Sequence, residues 1–161
     1  MVLIDLQKAF DTVDHGILLE KMEAIGVSSL PWFKSYLTDR RQVVDIKGSK
    51  SDVLSVTCGV PQGNILGPLL FLIYINDLPG ASSLVTQLFA DNTCLLFSAD
   101  SVGGLQEIAN REINKIENWM IANKLTLNHS KTKFMVITKN GRNAAINIYV
   151  NRHQIEQVNS I

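Results

Sequence analysis

Cysteine is scarce in this chain, with two in 161 residues. Cys58 and Cys94 stand alone, without a second cysteine or a histidine at metal-ligand spacing. That pattern encodes neither a disulfide framework nor a zinc ribbon, and it suits small core residues in a reducing interior. Long apolar runs are also missing. The longest, Ile65 to Ile75, contains Gly67 and Pro68 and falls well short of the roughly 20 residues that cross a bilayer. It reads as a buried helix, and no membrane partner is expected. Met1-Val2-Leu3-Ile4 runs straight into Asp5, which is not the pattern of a secretory leader. Charge of one sign is absent from two stretches. Ser51 to Asn110 has no Lys or Arg but holds Asp52, Asp77, Asp91, Asp100 and Glu107. Asn118 to Ile155 has no acid but holds Lys124, Lys131, Lys133, Lys139, Arg142 and Arg152. The first stretch could attract cations and the second phosphates, although two ordinary solvated surfaces would read the same way. The net charge is zero, whereas free-standing nucleic-acid binders are usually basic.

What is present is a globular composition, 46% hydrophobic and 19% charged. The length suits one domain that buries roughly 70% of its unfolded surface. Met1 to Ile4 is predicted as a buried strand that ends on a carboxylate. A helix follows, capped by Asp14, with Leu18, Met22 and Ile25 on one face and Gly26 as its stop. Ser29 and Pro31 open a second helix bearing Trp32, Phe33, Tyr36 and Leu37. Gln42 to Ile46 and Val53 to Thr57 suggest a hairpin around Lys47-Gly48-Ser49. Gly59-Val60-Pro61-Gln62-Gly63 is a loop, and a buried helix from Ile65 to Asp77 follows it. Gln87 to Ala90 and Cys94 to Phe97 form a tight hairpin with Asp91, Asn92 and Thr93 at the tip. Ser101 to Asn123 is the clearest helix: Leu105, Ile108, Ala109, Ile113, Ile116 and Met120 form a stripe, and Gln106, Asn110, Asn114 and Glu117 face away. Lys133 to Thr138 and Ala145 to Val150 are predicted strands, joined by a turn at Asn140-Gly141. The fold class is α+β, a mostly antiparallel sheet with helices packed on one face.

Asp5 ends a buried strand and Asp91 sits at a hairpin tip. If the two strands are neighbours, their carboxylates converge at one edge of the sheet. Adjacent carboxylates repel, and a divalent cation relieves the repulsion. Oxygen ligands on a rigid sheet suit magnesium, and two such ions about 4 Å apart can drive phosphoryl transfer. The plainer alternative is that both aspartates cap strand ends in turns.

Four strings extend this reading. Asp5-Leu6-Gln7-Lys8-Ala9-Phe10-Asp11-Thr12-Val13-Asp14-His15 resembles the first palm motif of the reverse transcriptases of non-LTR retrotransposons. The run Gly59 to Phe71 resembles their second. Phe89-Ala90-Asp91-Asn92 resembles the third, which in that family reads Phe-Ala-Asp-Asp. Asn123-Lys124-Leu125-Thr126-Leu127-Asn128 with Lys131-Thr132-Lys133 is similar to the fourth. All occur in the family's order and cover nearly the whole chain. Jockey-like and related branches of LINE-type elements are the ones it looks like most.

The resemblance implies a reverse-transcriptase palm acting as an RNA-directed DNA polymerase. Its substrates would be dNTPs and an RNA template with a DNA primer, and its cofactor Mg2+ as two ions. Asp5 and Asp91 would hold the metal. Phe10 would be the steric gate, whose ring leaves no room for a ribose 2′-hydroxyl; pattern alone reads it as core. Gln62 and Gly63 would lie beside the incoming nucleotide and template, with Gly63 free of a side chain to permit close backbone approach. Lys131 would stand near the leaving pyrophosphate and donate a proton or charge, with Lys133 as the second choice and a solvated role open for either.

Two departures qualify the implication. Asn92 replaces the family's second aspartate, keeping an oxygen but losing the charge; some RNA-virus polymerases resemble this site with Asp-Asn. Only Met1 to Ile4 precede Asp5, and Ile161 falls before the segments expected for the primer grip, so fingers and thumb are expected to be missing and to belong to the remainder of the parent polymerase. The alternatives are an inactive truncated retrotransposon relic and a non-catalytic nucleic-acid-binding module. By family analogy the protein would be made in the cytoplasm and act in the nucleus, with no targeting signal visible and the oligomeric state open.

Overall fold

In a computed structural model, which describes residues 1–138 and 144–159, the chain runs β1 (Val2–Ile4), α1 (His15–Ala24), α2 (Leu30–Leu37), β2 (Arg41–Gln42), β3 (Asp45–Ile46), β4 (Ser49–Lys50), β5 (Leu54–Ser55), α3 (Leu66–Ile75), β6 (Val85–Phe89), β7 (Asn92–Leu96), α4 (Val102–Ala122), β8 (Lys133–Phe134), β9 (Tyr149–Val150), β10 (His153–Gln154) and β11 (Glu156–Gln157). Short 3-10 turns occupy Ala9–Asp11 and Leu78–Ala81. Packing divides the chain into two compact units, one of Met1–Gln7 with Ile75–Ile161 and the other of Lys8–Tyr74.

The first unit is built on a five-stranded sheet of order β11-β8-β1-β7-β6. β1 is the central strand because its apolar residues serve both faces: Val2 and Ile4 are buried, and Leu3 is half-buried on the opposite side. It pairs antiparallel with β7 and with β8. β11 joins β8 in parallel, so the sheet is mixed and not uniformly antiparallel. α4 begins at Ser101, whose hydroxyl accepts a hydrogen bond from the Gly104 N–H at 3.1 Å. Ala109, Ile113, Ile116 and Met120 on this helix are buried.

The predicted strand from Lys133 to Thr138 is shorter, although the Met135 N–H still donates to the Met1 carbonyl at 2.9 Å. The predicted strand from Ala145 to Val150 contracts to Tyr149–Val150. It turns through Asn151-Arg152 into β10, and both turn residues have positive φ, 45° and 63°, as a type I′ hairpin requires. The predicted Asn140-Gly141 turn lies outside the described residues. Gln106 and Asn110, expected to face away, instead dock the segment leading into β9. Gln106 Oε1 accepts from the Asn147 N–H at 2.8 Å, and Asn110 Oδ1 accepts from the Tyr149 N–H at 2.9 Å. Their amides satisfy backbone groups that no neighbouring strand reaches.

Glu112 interrupts the apolar stripe of α4 and is buried. Its carboxylate accepts from Lys115 Nζ at 2.9 Å, Arg111 Nε at 3.0 Å and the Ser83 backbone N–H at 3.0 Å. Hydrogen bonds from Lys115, Ser83 and Arg111 hold its pKa well below the ordinary carboxylate range, against the opposing effect of burial. The depressed folded value makes the charged form the stabilising one. This contribution is complete above the unfolded-state value near 4.5 and disappears as pH falls toward the folded value. Glu112→Gln is expected to lower Tm at neutral pH and to flatten the loss of Tm below about pH 4.5, as read by thermal melts across pH; an unchanged acid limb would show that Glu112 does not carry it.

In the second unit, Asp14 caps α1 by accepting from the Ile17 N–H at 3.0 Å, and Leu18 and Met22 are buried. Ile25 is not on the buried face: it is the C-cap residue and is 59% exposed, because the helix ends at Ala24 before another turn could carry it inward. α2 packs against α1 through its buried Leu37. The expected single hairpin is two short ones, β2 with β5 and β3 with β4, nested around Lys47-Gly48. α3 is shorter than expected and only half sequestered, with Leu70, Phe71, Tyr74 and Ile75 fully buried but Leu69 and Leu72 exposed.

Gly59 has φ 85°, and a Cβ there would sit 2.8 Å from the Asp11 carbonyl oxygen. Gly59→Ala therefore combines left-handed strain with a backbone overlap, and is expected to cost about 2–4 kcal/mol in chemical denaturation. Gly63→Ala, at φ 80° but with open space around the added carbon, should cost less. Equal costs would remove the overlap argument.

Candidate active site

The site at the edge of the first unit begins with strand register. β1 and β7 pair Val2 with Leu95, Leu3 with Cys94 and Ile4 with Thr93. The ladder ends there, and Asp5 and Asn92 are the residues that adjoin its last pair. β6 and β7 pair out to Phe89 with Asn92, so the connecting turn is only Ala90-Asp91. The predicted three-residue tip is corrected by this register, because Asn92 and Thr93 already belong to β7. Ala90 carries the positive φ, 53°, that lets two residues reverse the chain. Asp91 follows it, half-buried, two residues before Thr93, the last β7 partner of β1.

The segment resembling the fourth motif fixes Asp5 from its other side. Leu6 bridges to Leu127, and the Gln7 N–H donates to the Thr126 carbonyl at 2.8 Å. The Asp5 carbonyl accepts from the Asn128 N–H at 2.8 Å, and the Asp5 N–H donates to Thr132 Oγ1 at 3.4 Å. The turn is closed by the Thr132 N–H donating to the Asn128 carbonyl at 2.9 Å. Lys131 projects from this turn, with Nζ 3.9 Å from Asp5 Oδ2. The Asp5 side chain is 20% exposed and that of Lys131 is 69% exposed. Such an open pair contributes little to stability. Lys133 is engaged elsewhere, paired with Glu156 at 3.0 Å.

Phe10, Gln62 and Gly63 lie in the second unit. The segments resembling the first and second motifs are bound together there. The Gly59 N–H donates to the Val13 carbonyl at 2.7 Å, and the Val60 N–H to the Phe10 carbonyl at 2.8 Å. His15 Nε2 lies 2.7 Å from the Gly59 carbonyl oxygen, which fixes the ring against the loop. Gln62 Nε2 donates to Asp11 Oδ1 at 2.7 Å. Phe10 is half-buried, with its ring centroid 4.7 Å from that of Phe71. Gly63 is exposed, and the space for its missing Cβ is empty, so within the chain its glycine answers to backbone conformation.

Asp11, Asn128 and Thr132 act as structural partners that their sequence positions alone did not reveal. Each works through a long-range hydrogen bond, which no local periodicity announces. Glu112 did leave a signal, an acid three residues after Ala109 and four before Ile116 in an otherwise apolar stripe.

Asp5, Asp91 and Asn92 bring two carboxylates and a side-chain amide to this end of the sheet. Hard oxygen donors of this kind fit magnesium, which completes its shell with water and phosphate oxygens. Among the described residues, no group of three or more His, Cys, Asp or Glu side chains forms a self-sufficient metal cage. No helix of the described residues is long and apolar enough to cross a membrane.

A sequence profile of the family described as "Reverse transcriptase (RNA-dependent DNA polymerase)" matches residues 1–157, and the chain belongs to that family. Three relatives from Drosophila melanogaster specify the branch. The chain is 31% identical to the probable RNA-directed DNA polymerase from transposon X-element, over 99% of this chain and 18% of that protein. It is 34% identical to the probable RNA-directed DNA polymerase from transposon BS, over 74% of this chain and 15% of that protein. It is 32% identical to the RNA-directed DNA polymerase from mobile element jockey, over 73% of this chain and 14% of that protein. The chain thus spans less than a fifth of the length of these relatives.

Proposed function

We propose that this chain supplies the palm chemistry of an RNA-directed DNA polymerase, adding dNTPs to a primer 3′-hydroxyl on an RNA template. The observation that carries the reading is the β1–β7 register, which brings the end of β1 at Asp5 beside the hairpin tip at Asp91. Asp5 and Asp91 would hold two magnesium ions, whose chemistry is to activate the attacking hydroxyl and offset charge on the phosphates. The Asp5 backbone is held by Asn128 and Thr132, which fixes the position from which its carboxylate would meet the phosphates. Asn92 presents an oxygen without a charge. Lys131, exposed and 3.9 Å from Asp5, can hold a proton at Nζ for the departing pyrophosphate oxygen. Phe10, braced by Phe71, would exclude a ribose 2′-hydroxyl. The Gln62 amide, fixed by Asp11, would orient the nucleotide, with Gly63 leaving its backbone approachable.

Primer extension tests the proposal. Residues 1–157 would replace the corresponding segment of the jockey polymerase, and RNA-templated, magnesium-dependent extension would be measured beside the unmodified enzyme. Product from the exchanged enzyme supports the reading. Its absence, with the exchanged protein folded and the parent active, overturns catalytic competence. The competing reading, a segment that no longer catalyses, is favoured by Asn92, the missing charge at the metal edge.

A further inference from the structure

We propose that His129 and His153 form a two-imidazole site for a zinc ion, separate from the magnesium edge. The two residues stand 24 positions apart in the sequence and belong to the first unit. Their ring centroids are 4.7 Å apart, with the planes tilted by 35°. With Zn–N bonds of about 2.0–2.1 Å, two imidazoles on one tetrahedral or octahedral ion hold their ring centres roughly 4.5–5.2 Å apart. The observed separation falls within that interval.

The ring nitrogens suit the same role. His153 Nδ1 lies 2.9 Å from the Asn151 carbonyl oxygen. A carbonyl only accepts, so the proton sits on Nδ1 and the lone pair is left on Nε2. A carbonyl on the far nitrogen is the common support of a ligating histidine. His153 is exposed, so an ion can reach it from solvent. His129 adds an independent observation: its Nδ1 is buried and has no hydrogen-bond partner among the described residues. Leaving a buried ring nitrogen unpaired is costly, and a bound ion removes that cost. Ring stacking alone would account for the contact but not for the orphaned nitrogen. Imidazole donors favour zinc over magnesium, which takes oxygen ligands. Water would complete the shell. His129 lies in the turn from Asn128 to Thr132 that carries Lys131, and His153 lies in β10. An ion held by both would clip the β9–β10 hairpin to that turn.

This inference does not depend on the polymerase reading, and thermal melts of the full chain test it. They use the Asp5→Asn/Asp91→Asn background, which removes the proposed magnesium ligands. Zinc at a free concentration tenfold above its Kd should raise Tm by roughly 3–6 °C, and magnesium should not. His129→Gln or His153→Gln, added singly, should each abolish the zinc shift. His15→Gln and Cys58→Ser should keep it, since both residues lie in the second unit. Circular dichroism would verify the fold of every variant. One equivalent of Cu2+, which nitrogen sites bind more tightly than Zn2+, gives a reading on the unsubstituted chain. Its electron paramagnetic resonance spectrum should show coupling to two imidazole nitrogens. The proposal is overturned by no zinc shift, by a shift that survives either histidine substitution or is lost with His15 or Cys58, or by copper without imidazole coupling.

Discussion

Asp5→Asn or Asp91→Asn, placed in the exchanged polymerase described above, is expected to reduce primer extension by at least about a thousandfold at saturating dNTP. The charge removed sits next to the proposed metal. A unit charge about 4 Å from another is worth about 4 kcal/mol at an effective dielectric of 20. Each 1.36 kcal/mol is about tenfold in rate, so removing a single charge accounts for about three orders of magnitude before the dication's second charge is counted. Asp5 should suffer more than Asp91. Its backbone is tied to Asn128 and Thr132, so it has little freedom to compensate. The substitution is isosteric and leaves the hydrogen bonds of the Asp5 backbone in place, so the melting temperature should be nearly unchanged. Rates within tenfold of wild type for both variants would sink the assignment of these carboxylates.

Asn92→Asp is expected to move activity in the opposite direction. Asn92 adjoins Asp91 and, like Asp5, adjoins the last pair of the β1–β7 ladder, so an acid there adds a third negative charge at the same end of the sheet. Asn92 is exposed, and screening reduces the gain below the full Coulomb figure. An increase of about tenfold to a hundredfold in apparent magnesium affinity is expected, read as the half-saturating concentration in primer extension. The same charge should destabilise the metal-free protein modestly, because three carboxylates then repel one another. A large gain in extension would identify Asn92 as the lesion that silences the segment. Identical magnesium curves for Asn and Asp would show that this position does not contribute to metal binding, and would remove the charge argument for a decayed site.

The motifs were legible in the strings, and so were the elements with strong local signals. Asp14 as a cap, Gly26 after α1, Pro31 near the start of α2 and the stripe of α4 all act within a turn or two of their own position, where side-chain period and capping chemistry are decisive. Less legible were features set by a partner distant in sequence. The tip of the β6–β7 hairpin moved to Ala90-Asp91 because pairing of Phe89 with Asn92 extends the strands past the apolar runs. The sheet became mixed because β11 found β8 in parallel. Gln106 and Asn110, polar and apparently surface-facing, satisfy the backbone of the 147–149 segment.

By itself, the sequence determined which residues are the candidates for the proposed chemistry. Asp5, Asp91, Asn92 and Lys131 stand in strings that resemble the family's motifs in order and composition, and the asparagine at position 92 is a covalent fact that no fold alters. Only the tertiary structure decided which of them meet. Whether Asp5 faces the hairpin depends on β1 lying beside β7 in one register, and a one-residue slip would turn every side chain of β1 to the other face. Lys131 and not Lys133 stands by Asp5 because the turn from Asn128 to Thr132 closes on Asp5, while Glu156, delivered by the parallel strand β11, engages Lys133. Proximity across 86 residues between Asp5 and Asp91 is a property of hydrogen-bonded register and packing, to which short-range sequence preferences contribute nothing.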